Sequence, residues 1–542
     1  MLHFEITPLG NLFFTLTVLV FVSLFFVPNR HRSTPLYSLL LLSLGGIFYA
    51  SDLITLFIFW EVMGWSSYFL IAKTARSQTL QKYIVFNLAG AFALLGAILL
   101  IYGACGTFVY REIDFATVPS GQVAAITILL LLTLFVKSGI MPFHYWVVDS
   151  YSQSNDLFSA LLSAIISKTG IFAFILIFFQ IITVQYLQAS IFEIVAWLGV
   201  ITSVIATFKA INEDEAKRLL AYSSIAQVGY IVTILSIVGS LSLEAALYHT
   251  VIHTFVKLLL FINVAAILYV SKQQTFSTLG GLLYRYPLNF ILLVVGIIAL
   301  AGMPPLGGFS SKFLIYTALL ETHRGLLLAA VLFSSASAFL YCYKLVYGIY
   351  LGQPTSPLPE RYRPIPAGFY IPQILGAVIL LILGTTPGII VPAFNRILQS
   401  VGFAPVADKG LFVLGSDFAA FNGAVIMGVF AVVFLLILLL FSRLKNRSVK
   451  PRDRLDISYC GEVPRAGANL HYGYGMGREL SRIGLVRVIL SHSSHALWQR
   501  IRTLFGDISE VLQKLYAVSA QSMGLIIFGF FTILLYLGVH AC

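Results

Sequence analysis

"LFVKSGIMPFHYWV", residues 134–147, places a lysine, a glycine, a proline and a histidine in a segment otherwise apolar enough to cross a bilayer. Proline cannot donate a helical hydrogen bond, so a carbonyl is left free where it interrupts a helix. Broken helices at membrane depth usually line a cavity that is wet enough to satisfy such carbonyls. The stretch therefore predicts a membrane helix that is broken near Gly139 and Pro142, with Lys137 beside the break.

The composition of the whole chain indicates a polytopic membrane protein. Of its 542 residues, 59% are hydrophobic and 10% are charged, and the mean hydropathy is +0.92. About 20 mainly apolar residues cross a hydrocarbon core as a helix, whereas a β-barrel shows short segments of alternating polarity. The continuous apolar runs predict an all-α fold with fourteen spans, near residues 11–28, 36–50, 53–72, 83–104, 122–148, 157–182, 191–209, 219–239, 243–270, 288–319, 325–350, 368–393, 420–442 and 522–540.

The distribution of basic residues predicts the topology. If the loops alternate sides, 25 of the 34 Lys and Arg residues fall on one side, 4 on the other and 5 within spans. By the positive-inside rule, the basic side is cytoplasmic and both termini lie outside. The net charge of +12 is thus mostly a topological signal with a possible contribution from lipids or a partner, and it needs no nucleic acid to explain it.

A second interrupted span occurs later in the chain, in "GMPPLGGFSSKFLIY", residues 302–316. Here Lys312 follows Pro304 and Pro305, much as Lys137 precedes Pro142. A single break of this kind is commonly an ordinary kink. Two breaks at corresponding positions of two halves indicate an inverted-repeat transporter with sites near the bilayer midplane.

A row of titratable residues lies in "LYHTVIHTFVKLLLF", residues 247–261. His249, His253 and Lys257 recur every four residues, which places them on one helical face. The two histidines could hold zinc, but a third protein ligand and the glutamate of an HExxH motif are missing. A polar seam between packed helices is another alternative. Groups that titrate near neutral pH favour a proton relay.

Glu61, in "FIFWEVMGWSSYFL", is the one acid that the sequence predicts to lie well within the hydrocarbon. An unpaired carboxylate at that depth would take up a proton, so Glu61 either has a cationic partner or carries protons itself. Lys137 is the first candidate for that partner, and Lys168 in "AIISKTGIF" is the second.

Several classes of site have no counterpart in the sequence. The four cysteines show no CxxC pair, so neither an iron–sulfur cluster nor a zinc knuckle is legible. There is also no phosphate-binding GxxxxGK[ST] motif and no dinucleotide fingerprint. We therefore expect no cofactor and no metal in this chain, and the driving energy must come from an ion gradient or another subunit.

The C-terminal part of the chain differs from the rest. Residues 443–478 are basic and rich in turn formers, and apolar residues then recur at helical spacing from Leu497 to Leu515. A helix over about 479–518 would be amphipathic and roughly 60 Å long. Such a helix can lie on the lipid surface. It can also brace neighbouring subunits on the cytoplasmic face.

Five stretches carry a resemblance to a known family: "FWEVMGWSSYFLI", "KSGIMPFHYWVVDSYSQSNDLFSALLSAIISKTG", "NEDEAKRLLAYSSIAQVGY", "HTVIHTFVKLLLF" and "GMPPLGGFSSKF". They cover roughly residues 50–320, in the family's order. The chain resembles the antiporter-like membrane subunits shared by respiratory complex I, membrane-bound hydrogenases and multisubunit cation/proton antiporters. It is most similar to the large distal type, which carries a lateral helix followed by a last span.

The resemblance implies two inverted five-helix bundles and no redox cofactor. It makes Glu61 and Lys137 the coupling pair, Lys312 the exit-side lysine, and the central polar axis Lys168, His249, His253 and Lys257. The predicted segments are N-terminal helices (1–50), two core halves (51–182 and 191–350), C-terminal spans (351–442), the basic segment with the lateral helix (443–520) and the last span (521–542). Two departures are the short N-terminal part, with two helices before Glu61 instead of four, and Gly90 where some members carry an acid.

These features predict a proton-translocating subunit of a complex I-like or energy-converting hydrogenase-like oxidoreductase in a prokaryotic inner membrane. The expected partners are other membrane-arm subunits, a cytoplasmic redox arm with iron–sulfur clusters, and lipids. The alternatives are a subunit of a multisubunit Na⁺/H⁺ antiporter, a membrane subunit of an inorganic-carbon uptake complex with a soluble zinc protein, and a scaffold in which the lysines merely pair.

Overall fold

The computed structural model describes residues 2–28, 33–182, 186, 189–351, 363–443, 482–491, 499–500, 503 and 506–507. The chain divides into two compact units, Met1–Arg478 and Glu479–Cys542. In the described residues the first unit is almost wholly helical. Its strands are confined to a short antiparallel hairpin that pairs Val413–Gly415 with Ala420–Asn422.

The first part of unit Met1–Arg478 contains long apolar helices and several short ones. In chain order they are α1 (Pro8–Phe25), α2 (Thr34–Tyr49), α3 (Leu53–Ala72), α4 (Ser77–Cys105), α5 (Ser120–Ser138), α6 (Tyr145–Gln153), α7 (Asp156–Ala164) and α8 (Thr169–Ile175). A 3₁₀ turn, Ile166–Lys168, joins α7 to α8, and a π turn, Leu176–Ile181, extends α8.

The later part of the chain continues the helical pattern. Its helices are α9 (Ala189–Asn212), α10 (Ala216–Leu235), α11 (Ser240–Ser271), α12 (Pro287–Ala301), α13 (Gly307–Glu321), α14 (Gly325–Val346), α15 (Tyr370–Thr385), α16 (Val391–Ser400), α17 (Gly423–Arg443) and, in the second unit, α18 (Gly484–Ser491).

The helices confirm a polytopic membrane protein. In the described part of the chain, eleven helical segments are long and apolar enough to cross a membrane, and α2 and α12 are shorter apolar helices. The predicted span 368–393 is wrong at its end, because α15 stops at Thr385 and a 3₁₀ turn, Pro387–Ile390, leads into the separate α16. The predicted span 522–540 and most of the predicted lateral helix lie outside the described residues.

Helix α11 forms the centre of the first unit. Every residue of α11 from Ser242 to Ile267 is buried, whereas the apolar side chains of α17 are exposed. Helices α7, α10, α12, α13 and α15 all pack against α11. Polar side chains on α11 are therefore shielded by protein on all sides.

Both predicted interruptions are present as gaps between two helices. Helix α5 ends before Gly139, and α12 ends before Gly302, with φ angles of +71° and +81°. These angles lie in the left-handed region that favours glycine. The chain resumes a helix only at Tyr145 in the first case and at Gly307 in the second. The glycines and prolines thus produce the breaks locally, whatever the surrounding packing.

Candidate functional site

The predicted row on α11 is deeply buried. His249, His253 and Lys257 are 3%, 1% and 0% exposed. The two imidazole rings are parallel, with their centroids 6.2 Å apart. Both ring nitrogens of His253 lack a hydrogen-bond partner among the described residues. Because an unpaired buried polar group is costly, the space around His253 is a natural place for a bridging water.

His249 joins three helices. Its Nδ1 atom lies 3.0 Å from the Ser311 hydroxyl oxygen on α13, and its Nε2 atom lies 3.1 Å from Gln227 Oε1 on α10. One of these ring nitrogens must donate and the other accept when the imidazole is neutral. The ring can therefore pass a proton between α10 and α13 by changing its tautomer.

The remaining α11 residue of the row, Lys257, turns towards α10. Its Nζ atom donates to the Ser223 hydroxyl oxygen at 2.6 Å and to the Leu220 carbonyl at 3.2 Å. No carboxylate lies within 4.0 Å of this ammonium group in the described residues. The charge of Lys257 is thus held by neutral oxygens, an arrangement that keeps loss of its proton accessible.

Lys168 reaches the same region from the first half of the chain. It ends the 3₁₀ turn between α7 and α8 and is 1% exposed. Its Nζ atom donates to the Ser163 carbonyl and to the Ser167 hydroxyl oxygen. Lys168 interacts electrostatically with Lys257 and His253. The structure therefore brings the four residues of the predicted central axis together.

Lys312 fills the second helix break. Its Nζ atom donates to the Ala301 carbonyl at 2.8 Å, which is one of the carbonyls left free where α12 ends, and to the Ser335 hydroxyl oxygen at 2.7 Å. A Cβ atom on Gly302 would lie 2.4 Å from Lys312 Cδ. Gly302 is thus required both for the turn and for the space that the lysine occupies.

Glu61 and Lys137 lie on neighbouring parts of α3 and α5 and interact electrostatically. They do not form a direct ion pair, because no nitrogen–oxygen distance between them is within 4.0 Å. Lys137 Nζ instead lies 3.5 Å from Asn87 Oδ1 on α4 and 5.5 Å from the centre of the Trp60 ring. One carboxylate oxygen of Glu61, Oε1, has no hydrogen-bond partner among the described residues.

Asn87 was not predicted by sequence reasoning. A Cβ atom on Gly64 would lie 2.6 Å from Asn87 Nδ2, so glycine at 64 lets the amide approach α3. The amide thus lies between the helix that carries Glu61 and the ammonium group of Lys137. A glycine one turn after Glu61 was the available signal, but the partner is on another helix.

Sequence reasoning also missed an ion-pair cluster between the two halves of the chain. Asp149 on α6 accepts from Lys82 Nζ at 2.5 Å and from Arg218 Nη1 at 2.8 Å. Arg218 also pairs with Glu213 at 3.1 Å. Asp149 therefore links α4 to α10 just beyond the first helix break.

Replacing Asp149 with asparagine is expected to lower the free energy of unfolding by about 1–3 kcal/mol, because two cations lose their shared carboxylate in a site that is only 17% exposed. The measurement is the thermal midpoint of the detergent-solubilised protein. Asp156→Asn is the matched control, since Asp156 is 40% exposed and pairs with Lys217. Equal midpoints for both variants would contradict the assignment.

The structure describes no group of three or more His, Cys, Asp or Glu residues arranged to hold a metal ion. Cys105 and Cys342 are free thiols. The buried polar groups instead form hydrogen-bonded steps between hydroxyl, imidazole and ammonium groups. Chemically, such an arrangement can move protons.

Comparisons with known proteins point to one family. The model of the family described as "NADH:quinone oxidoreductase/Mrp antiporter, TM" matches residues 50–338, slightly more than half of the chain. The large A-type protein of the Na⁺/H⁺ antiporter of Alkalihalophilus pseudofirmus is 28% identical over 493 residues, with 82% of this chain and 60% of that protein covered. The N-type protein of the F₄₂₀H₂ dehydrogenase of Methanosarcina mazei is 29% identical over 385 residues, with 67% and 77% covered.

A similar solved structure belongs to the membrane-bound sulfane sulfur reductase, an archaeal respiratory membrane complex. One of its chains matches with a TM-score of 0.83 and 27% identity, over 97% of this chain and 87% of that chain. The chain spans 60% and 52% of the lengths of the two similar A-type antiporter proteins, the second of which is from Bacillus subtilis.

Proposed function

The chain belongs to the NADH:quinone oxidoreductase/Mrp antiporter transmembrane family, and from this membership we propose that it is the proton-translocating subunit of a complex I-like or energy-converting hydrogenase-like oxidoreductase. It holds no redox centre of its own. It works with other membrane-arm subunits, with a cytoplasmic redox arm that carries iron–sulfur clusters, and with lipids, in a prokaryotic inner membrane.

One observation carries this proposal: the buried row of Lys168, His253, Lys257 and His249 runs through the most enclosed helix of the protein and approaches Lys312 at a helix break. Burying so many ionisable groups costs several kcal/mol unless they serve a function. Their partners are hydroxyls and carbonyls rather than carboxylates, so protons can leave and return without breaking a strong ion pair.

The proposed mechanism is an electrostatic relay. A change in a partner subunit shifts Glu61 relative to Lys137, and the altered field changes the proton affinity of Lys168. The proton then moves along the α11 row towards Lys312. Asn87 supports this step, because it holds Lys137 in place without neutralising it.

The finer architecture is also part of the proposal. Residues 51–182 and 191–350 form two inverted repeats, with α2 completing the first bundle of five spans. The breaks at Gly139 with Pro142 and at Pro304 with Pro305 occupy corresponding positions. Fourteen spans, both termini outside, and a lateral helix over 479–518 complete the topology.

The test combines purification with pumping. The native complex is purified in mild detergent, its subunits are identified, and proton uptake by inverted membrane vesicles is recorded with a pH-sensitive dye during electron transfer. Replacing Glu61 with glutamine or Lys137 with methionine is expected to lower the number of protons moved per electron several-fold. The rate of electron transfer should persist, because the redox chemistry lies in other subunits.

Normal pumping in both variants would refute the relay. Co-purification of antiporter subunits or a soluble zinc protein, without iron–sulfur subunits, would refute the oxidoreductase assignment. Arg111→Gln is a suitable control, because Arg111 pairs with Glu5 at an exposed position away from both helix breaks.

A second candidate is a subunit of a multisubunit Na⁺/H⁺ antiporter. The observation that favours it is the similarity to an A-type antiporter protein over 82% of this chain. This function predicts sodium-dependent proton exchange in vesicles without any electron donor. The oxidoreductase proposal predicts no exchange under those conditions.

A further inference from the structure

One buried acid takes no part in the relay described above. Glu244 lies on α11, five residues before His249, and is 1% exposed. Its Oε2 atom has no hydrogen-bond partner among the described residues. No described lysine, arginine or histidine lies within 4.0 Å of its carboxylate. Glu61 is therefore not the only enclosed acid of the chain.

An enclosed carboxyl group without a cationic partner is far more stable in its neutral form, since the charged form would lose its hydration. A neutral carboxylic acid has one proton to give, and it gives the proton only when water or a base reaches it. Glu244 therefore has the properties of a gated proton carrier. A purely structural role would instead call for hydrogen bonds that the structure does not show.

Hydroxyl groups connect the region of Glu244 to the α11 row. Tyr248 lies one turn from Glu244 on the same face of α11 and donates to the Leu383 carbonyl at 2.8 Å. The Ser310 hydroxyl donates to the same carbonyl at 3.2 Å. Ser311, the next residue of α13, contacts His249.

The position along α11 gives a direction. At 1.5 Å per residue, Glu244 lies roughly 7.5 Å from His249 along the helix axis and roughly 6 Å from the first residue of α11. It is thus closer than any member of the row to the end of the membrane where α11 begins. Under the proposed orientation, that end is the outer one.

We propose that Glu244 is the last proton carrier of the pathway and releases protons at the end of the membrane where α11 begins. A proton leaves the His249 imidazolium, passes through Tyr248 or an intervening water to the Glu244 carboxylate, and then moves to bulk water. Only the proton is transferred, and no group is oxidised or reduced. This inference rests on the proposed function.

The test uses the intact complex in inverted vesicles and compares Glu244→Gln with Glu244→Asp. Glutamine keeps the size but cannot carry a proton, so the number of protons moved per electron should fall roughly tenfold, less than the 10²–10⁴-fold effect typical of a positioned acid–base group. Aspartate keeps the carboxyl group and should retain most pumping. Glu193→Gln is the control, because Glu193 is partly exposed and pairs with Arg324.

A second measurement keeps the proposal testable if Glu244→Gln fails to assemble. Infrared spectra of the wild-type complex in H₂O and D₂O should show a protonated carboxyl band that shifts on deuteration. That band should change frequency in Glu244→Asp. An unchanged band in the aspartate variant would overturn the proposal.

The outcomes also separate this inference from the proposed function. If Glu244→Gln pumps normally while Lys257→Met does not, Glu244 is no carrier but the relay stands. If neither variant affects pumping, the proposed function itself fails. Loss of pumping in Glu244→Gln with retention in Glu244→Asp supports both.

Discussion

Replacing Lys257 with methionine is expected to lower proton pumping by about 10²-fold or more, because the proton-carrying group at the centre of α11 is lost. The side chain is fully buried, and only neutral oxygens of Ser223 and Leu220 hold its ammonium group. Methionine has a similar length and no charge, and replacing a buried charge by an apolar side chain often leaves stability unchanged or higher.

The measurement is the number of protons moved per electron in vesicles, together with the amount of assembled complex. Lys344→Met is the matched control, since Lys344 is also a buried lysine that donates to a backbone carbonyl, that of Ile211 at 3.0 Å, but lies outside the row. The scaffold alternative predicts the opposite result, with assembly lost and proton flux per complex unchanged.

Replacing Gly308 with alanine is expected to lower the free energy of unfolding by about 3 kcal/mol or more, at or beyond the upper end of ordinary overpacking. A Cβ atom at this position would lie 1.8 Å from the Ala299 carbonyl oxygen and 2.6 Å from its carbon. Both neighbours are backbone atoms of α12, so no side chain can turn aside. The two helices that flank the second break would have to separate.

The thermal midpoint of the purified protein in detergent tests this expectation. Gly103→Ala is the control, because no atom lies within 4 Å of the added Cβ and alanine is the better helix former. We expect the midpoint to fall in the first variant and to stay or rise in the second. A fall of similar size in both would show that the close packing of α12 on α13 is not the cause.

Local chemistry explains why the helix breaks could be predicted. Gly139 and Gly302 adopt positive φ angles, and prolines follow each of them within three residues. These constraints act within a few residues and do not depend on the rest of the fold. The i, i+4 spacing of His249, His253 and Lys257 is equally local, since it follows from the period of a helix.

Other features depend on residues that are distant in the chain. Asn87 approaches Lys137 across 50 positions, and Asp149 meets Arg218 across 69. No periodicity or composition specifies which of many polar residues will meet in this way. Glu244 was overlooked for a related reason, because it lies near the start of a span, where exposure and burial cannot be told apart without the neighbouring helices.

The sequence by itself determined that this chain crosses the membrane many times, where two of its helices break, and which residues share a face of α11, because hydropathy, backbone geometry and helical period are local properties. Only the tertiary structure decided that Glu61 and Lys137 stay apart with Asn87 beside the lysine, that Lys312 fills the break at Ala301, and that Glu244 is enclosed without a partner. The reason is physical: hydrogen-bond partners and burial are set by which helices pack together.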